Sequence, residues 1–316
     1  MAEPFRILDL GDRRVLETDG RQYPTRYSAR VVRMLVERKG PRRAPLYFDF
    51  KETRGRHFLA PLIAYLRSQG RHGLRVLEVG CSFGHMTEFL ADQPEIGALT
   101  TFDTDPAFVD LTRAKVEELE LRTVREVRHL DQGATCRLPW PDGAFDLVVA
   151  VGVVEHLPAR YRRQQVDEYY RVLPDGGLLT ILDTPNRWFP LETHSVGLPL
   201  VQWLPPRLAY HYARLGRLGR YRSVSFEAFV ADGTGWRNAS FADGKQSAGL
   251  AGVDDLTEQA GYGLQFFRAT ARSRTRRALL PLFGAAAAVL GAAGRPPSMA
   301  LPYLNLLFRL DRKASG

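Results

Sequence analysis

Between Leu74 and Leu182 the chain alternates short apolar runs with segments of helical period. Leu74 to Val79, Ala98 to Phe102, Val124 to Leu130, Phe145 to Val151 and Leu178 to Leu182 are short, rich in Val, Leu and Phe, and predict strands. Between them His85 to Ala91, Pro106 to Leu119 and Arg160 to Leu173 predict helices. The last places Val166, Tyr169, Tyr170 and Leu173 at i, i+3, i+4 and i+7, a buried stripe. His57 to Gln69, with Phe58, Leu62, Tyr65 and Leu66 on one face, predicts a helix ahead of the first strand, ended by Gly70 and Gly73. Strands alternating with helices in this way predict a parallel, doubly wound sheet.

The flanks follow other patterns. Phe5 to Leu10 and Val15 to Thr18 predict short strands, Asp19-Gly20 a turn, and Tyr27 to Lys39 a helix on Val31, Met34 and Leu35, before Pro41 to Pro45 break the pattern. Near the other end Asp254 to Ala260 predicts a helix, Leu264 to Thr270 a sixth strand and Tyr303 to Leu310 a seventh. Residues 204–220 place Leu204, Leu208, Leu215 and Leu218 on one side of a helix and Arg207, Arg214, Arg217 and Arg220 on the other, with Gly216 and Gly219 weakening it. Ala278 to Gly294 is almost wholly Ala, Leu and Gly, next to the basic run Arg272 to Arg277. Seventeen uncharged residues with Pro281 inside are at the lower limit for spanning hydrocarbon. An inserted helix, packed on an acceptor pocket or dipping into a membrane surface, is the expectation.

The first strand leads into V-L-E-V-G-C-S-F-G-H-M-T-E-F-L, residues 76–90: an apolar run, an acid, a turn with Gly80 and Gly84, then a helix start. Glycines let the backbone bend sharply and approach a ligand, and the helix N-terminus aims its free N–H groups and positive dipole end at the same turn. A dinucleotide fingerprint needs G-x-G-x-x-G, but Ser82 and His85 stand at the second and third glycine positions. An anionic Glu78 repels pyrophosphate and suits the cationic amino end of a zwitterion.

The residues E-V-G-C-S-F-G resemble motif I of the class I S-adenosylmethionine-dependent methyltransferases, with Ser82 where many members carry Gly. The run 138–157, LPWPDGAFDLVVAVGVVEHL, is similar to the ubiquinone-biosynthesis type of that class, and VLPDGGLLTILDTPN resembles its turn and fifth strand. The resemblance implies an α/β fold: a doubly wound, mostly parallel seven-stranded sheet of Rossmann-like form, its seventh strand antiparallel. It implies an N-terminal extension or lid at 1–55, a cofactor-binding core at 56–183, a substrate-capping insertion at 184–250, and the rest of the core at 251–316 with an apolar helical insertion at 272–300. It also implies S-adenosyl-L-methionine as cofactor, held by Glu78, Gly80, Cys81, Ser82 and Gly84 at the turn. Asp103 and Thr104 follow at the second strand end, with Asp131, Gln132 and Val151 at the ends of the next two. Asp103 is the expected ribose ligand, and Asp105 its competitor.

Displacement at a sulfonium methyl asks the protein mainly to align donor and acceptor and to exclude water. A hydroxyl acceptor must also lose a proton, which calls for a base titrating near the working pH, and histidine fits best. His156, just after the fourth strand, and His194, in the insertion beside Glu192, are the two candidates. No histidine pair suggests a metal, and none is expected. The expected acceptor is a small molecule, sugar, lipid-linked glycan or secondary metabolite. Alternatives are C-methylation of a prenylated quinone or isoprenoid, an RNA-binding protein, and a non-catalytic cofactor-binding module.

Composition changes this picture little. The 316 residues carry 45% hydrophobic and 25% charged side chains, ordinary for a globular chain. A net charge of +9 and a pI near 9.7 suit an acidic partner or an arginine-rich surface. The basic residues are scattered and Val151-Gly152-Val153 follows the fourth strand instead of a base-modifying motif, so nucleic acid is not expected. Cys81 and Cys136 cannot build a disulfide framework, and no Cys/His cluster has zinc spacing. MAEPFRILDLGDRR lacks the apolar stretch of a signal peptide. A cytoplasmic protein is expected, with peripheral contact at the inner membrane face as an option; the oligomeric state stays open.

Overall fold

The computed structural model describes residues 5–11, 14–192, 194–216, 219, 221–231, 236–245 and 252–311. The expectations placed on Arg217, Leu218 and Arg220 lie outside them. In chain order the elements are β1 (Phe5–Asp9), β2 (Arg14–Thr18), β3 (Arg21–Thr25), α1 (Ala29–Lys39), α2 (Arg56–Ser68), β4 (Leu74–Val79), α3 (His85–Ala91), β5 (Ile96–Asp103), α4 (Pro106–Glu118) and β6 (Val124–His129). They continue with β7 (Leu147–Val151), α5 (Ala159–Arg171), β8 (Leu178–Pro185), α6 (Pro206–Ala213), α7 (Phe226–Ala231), α8 (Phe241–Lys245), β9 (Val253–Asp255), α9 (Gly263–Thr270), α10 (Arg274–Ala292) and β10 (Tyr303–Leu310). The seven-stranded sheet has the order β6-β5-β4-β7-β8-β10-β9. Contacts divide the chain into two compact units, Met1–Asp131 and Gln132–Gly316.

In the first unit β4, β5 and β6 run parallel, with Glu78 beside Thr101 and Val79 beside Phe102. The N-terminal extension is a three-stranded antiparallel sheet of which β3 went unforeseen, since R-Q-Y-P-T alternates weakly and contains a proline. Its edge position tolerates Pro24. Leu16, Tyr27, Val31 and Leu35 from this extension share a core with Phe83 and Leu111.

A charged staple runs through that core. Tyr27 donates its hydroxyl to Glu88 at 2.9 Å, the buried Lys115 ammonium reaches the same carboxylate at 2.8 Å, and Arg26 pairs with it from the partly exposed side. Burial pushes Lys115 down from its ordinary value against the pull of Glu88. Three side chains thereby converge on one carboxylate.

In the second unit β7 and β8 are parallel, while β10 lies antiparallel between β8 and β9, as expected for a closing strand. The expected helix at 254–260 and strand at 264–270 are corrected: Val253–Asp255 is the edge strand β9 and Gly263–Thr270 is helical. Short runs such as Leu-Gln-Phe-Phe satisfy either period. Pairing of Asp254 and Asp255 with Arg309 and Phe308 settled the strand, and burial of Phe266 and Phe267 settled the helix. The amphipathic helix at 204–220 shrinks to Pro206–Ala213. Its buried face is Ala209 and Ala213, and Leu208 and Leu215 are exposed. Around it Val196, Val201, Tyr221, Phe229 and Trp236 form a small core of their own.

Candidate active site

In the first unit the turn after β4 is held from β5. The N–H groups of Gly80 and Cys81 both donate to the Phe102 carbonyl, at 2.9 and 3.1 Å, and Gly84 N–H closes the turn on the Cys81 carbonyl at 2.8 Å. Gly80, Ser82 and Gly84 have φ of 77°, 47° and 73°. Ser82 therefore adopts the left-handed backbone that glycine takes at little cost, which explains why glycine suits this position. A Cβ on Gly84 would stand 3.2 Å from the Thr112 hydroxyl and 3.4 Å from the Lys115 side chain.

Asp103 braces the same turn: its Oδ2 accepts the Ser82 N–H at 2.9 Å and its Oδ1 the Asp105 N–H at 3.0 Å. Its competitor Asp105 is the N-cap of α4, accepting the Ala107 N–H at 3.0 Å, and pairs with Arg38. Thr104 and Asp131 are exposed beyond their strands. Cys81 is buried, and burial raises its thiol well above its ordinary value, so it lines the turn as an inert side chain.

Glu78 corrects an expectation. The carboxyl is buried, 2% exposed, and burial pushes its pKa from 4.5 to about 8, so at neutral pH it is largely protonated, not anionic. Thr87 on α3 donates to its Oε2 at 2.6 Å, while its Oε1 is buried without a hydrogen-bond partner. A buried oxygen left so is an open seat for a donor.

In the second unit Val151 ends β7 and is half-buried, and Gln132 is exposed, its carbonyl accepting the Thr135 hydroxyl at 2.7 Å. The two candidate histidines, 38 positions apart in sequence, come together: their ring centroids are 5.2 Å apart. Beneath them Glu155 is buried, its Oε1 3.8 Å from His156 Nε2, and His156 is 41% exposed. The ligand atoms of Glu155, His156 and His194 all lie within 4.8 Å of one another, close enough to pass a proton or to hold a metal ion. Sequence spacing hid this cluster, because its members come from two distant segments. Burial raises the Glu155 carboxyl to about 8, and the Thr184 hydroxyl approaches its Oε2 at 3.3 Å.

Two residues that the sequence reading did not name for this role hold the histidines in place. Arg162, buried on α5, donates to the carbonyls of Glu155 and Leu157 at 3.2 Å each and to that of Asn238 at 2.6 Å, fixing the turn that carries His156. A signal existed: Arg162 sits on the buried stripe of Val166 and Tyr169, where an arginine needs partners. Glu192, fully buried, accepts four backbone N–H groups, from His194 and Ser195 at 2.8 Å, Val196 at 2.6 Å and Gly197 at 3.1 Å. It shapes the loop bearing His194 as a bound anion would.

A cavity of about 470 Å³ in the first unit is lined by Arg14, Arg26, Asp49, Lys51 and Glu52 among others, none from the glycine turn. Arg26, Lys51 and Glu52 are already paired, with Glu88, Asp92 and Arg56. It is not the candidate site.

A mostly parallel sheet in which β10 runs antiparallel, with an acid near the end of β4, a glycine turn and a helix after it, and a second acid closing β5, fits the fold of the class I S-adenosylmethionine-dependent methyltransferases. The cofactor of that class is S-adenosyl-L-methionine. Residues 76–177 match the family described as methyltransferase domain. The chain is 35% identical over 115 residues, 36% of its length and 39% of the other's, to a "Probable S-adenosylmethionine-dependent methyltransferase" of Mycolicibacterium smegmatis. It is 35% identical over 111 residues to a phosphatidylethanolamine N-methyltransferase of Cereibacter sphaeroides, 35% of this chain and 51% of that one. A solved methyltransferase from Aquifex aeolicus is similar at 20% identity, over 50% of this chain and 80% of that one, with a TM-score of 0.37. The chain thus spans between 39% and 51% of the length of these curated relatives.

Proposed function

We propose that this chain transfers a methyl group from S-adenosyl-L-methionine to a hydroxyl of a small or lipid-linked acceptor, with His156 and His194 receiving the proton. The observation that carries the reading is the meeting of these histidines above the buried Glu155. The cofactor supplies an activated methyl group on a positive sulfur. Glu78 offers its unpartnered Oε1 to the cofactor's amino group, and the Gly80–Gly84 turn offers close backbone approach. Asp103 takes the ribose hydroxyls, Cys81 and Ser82 line the turn, and Thr104 and Asp131 border the nucleoside. Likeness to a phosphatidylethanolamine N-methyltransferase favours an acceptor with a lipid part.

A panel of hydroxylated lipids, lipid-linked sugars and quinones, incubated with methyl-labelled cofactor and analysed by mass, tests the reading. Label should enter at a hydroxyl and survive chelation. Replacing either histidine by alanine should lower kcat by roughly 10²–10⁴-fold while leaving cofactor affinity intact. Label on nitrogen or ring carbon, or full activity without both histidines, overturns it. Loss of activity to a chelator reassigns the Glu155–His156–His194 cluster to a metal ion.

A further inference from the structure

From Ala278 to Ala293 no residue is polar, and α10 covers nearly all of that run. Its inward seam is narrow. Phe283 and Ala287 are buried, with the Phe283 ring 4.9 Å from Phe267 and 5.9 Å from Phe189, centroid to centroid. The opposite side is open: Leu282 is 63% and Val289 69% exposed, with Ala278, Ala285 and Ala292 exposed around them. At 100° per residue these five fall within a sector of about 80°. Among the described residues no helix is long and apolar enough to cross a membrane. A one-sided apolar face of this kind is suited to lying on one.

Charge points to the kind of surface. Exposed Arg272, Arg274, Arg276 and Arg277 stand at the amino end of α10, where the helix dipole disfavours cations, so helix stability does not account for them. From Gln259 to Leu310 there are seven arginines and no acid. Two indoles are tied to the segment that packs on α10. Trp188 precedes the Phe189 that packs on α10, Trp203 donates to the Arg187 carbonyl at 2.7 Å, and both are exposed. Exposed tryptophans suit the headgroup layer.

We infer that α10 lies in the plane of an anionic phospholipid surface, its Leu282–Val289 face in the acyl boundary and its arginines on the headgroups. The inference concerns binding and stands apart from the identity of the acceptor. Flotation with phosphatidylcholine vesicles, with and without phosphatidylglycerol, tests it on the full chain. Binding should require phosphatidylglycerol and weaken with salt. The double variant Leu282→Asp/Val289→Asp should lose binding on the order of tenfold or more, because two charges would enter the acyl boundary. Replacing Arg274, Arg276 and Arg277 by Gln should cost on the order of a hundredfold on anionic vesicles. Both variants keep the buried seam, and retained binding of S-adenosylhomocysteine checks that they fold. No vesicle binding, equal binding to neutral vesicles, or binding unchanged in the aspartate variant overturns the inference. So does a dimer in gel filtration that the aspartate variant dissolves, which assigns the face to a second copy. Methyl transfer measured on soluble acceptors is independent of all these outcomes.

Discussion

Glu78 is the residue at which burial reverses the simplest reading. A carboxyl on a strand beside an anion-friendly helix start invites a negative charge, yet the surroundings are dry enough to hold its pKa at about 8. A cationic amino group arriving at its unpartnered oxygen must pull that value down. Binding of S-adenosylhomocysteine at pH 7 should therefore release up to ~0.9 proton, seen by calorimetry in buffers of different ionisation enthalpy. Glu78→Gln should abolish the release and weaken binding; unchanged proton release in that variant would remove Glu78 from the cofactor site. The acid, the glycine turn and Asp103 were all legible from residue type and spacing. The protonation of Glu78 was not, because desolvation is a property of everything packed around a side chain.

Among the elements, those organised around one buried acid were least visible beforehand. Glu88 joins the N-terminal extension to α3 and α4, and Glu192 folds residues 194–197 around its carboxylate. In Glu192→Gln the new amide N–H groups would face two of the four backbone donors. The variant should lose on the order of 2–4 kcal/mol in denaturant unfolding, and kcat should fall as His194 loses its place. Stability and turnover both unchanged would show that the loop holds without it. The elements predicted best had long periodic stripes, such as α5. Those misread, 254–270, are short and apolar in both periods, and pairing with β10 or burial of Phe266 and Phe267 decided between them.

For the molecule as a whole, Glu78 and Glu155 act in the same direction on stability. Both are held neutral when folded, with pKa near 8 against 4.5 for an exposed carboxyl. The unfolded chain releases these protons above about 4.5 and the folded chain only near 8. This contribution is thus fully present below 4.5 and drains away as pH rises to about 8, at ~1.4 kcal/mol per pH unit for each group. Thermal unfolding followed across that window should show Glu155→Gln with a flatter dependence than the parent. A parallel displacement of the two curves would mean that Glu155 titrates normally.

The alternation of strands and helices from Leu74 to Leu182, the glycine turn and the acids at the ends of β4 and β5 were determined by the sequence alone, because local period and backbone freedom are encoded in neighbouring residues. Tertiary structure alone decided that His156 and His194 meet above Glu155, that Glu78 is neutral, and that α10 keeps one side of its apolar surface uncovered. These depend on which distant segments pack together and on how much water they exclude, and no window of adjacent residues carries that information.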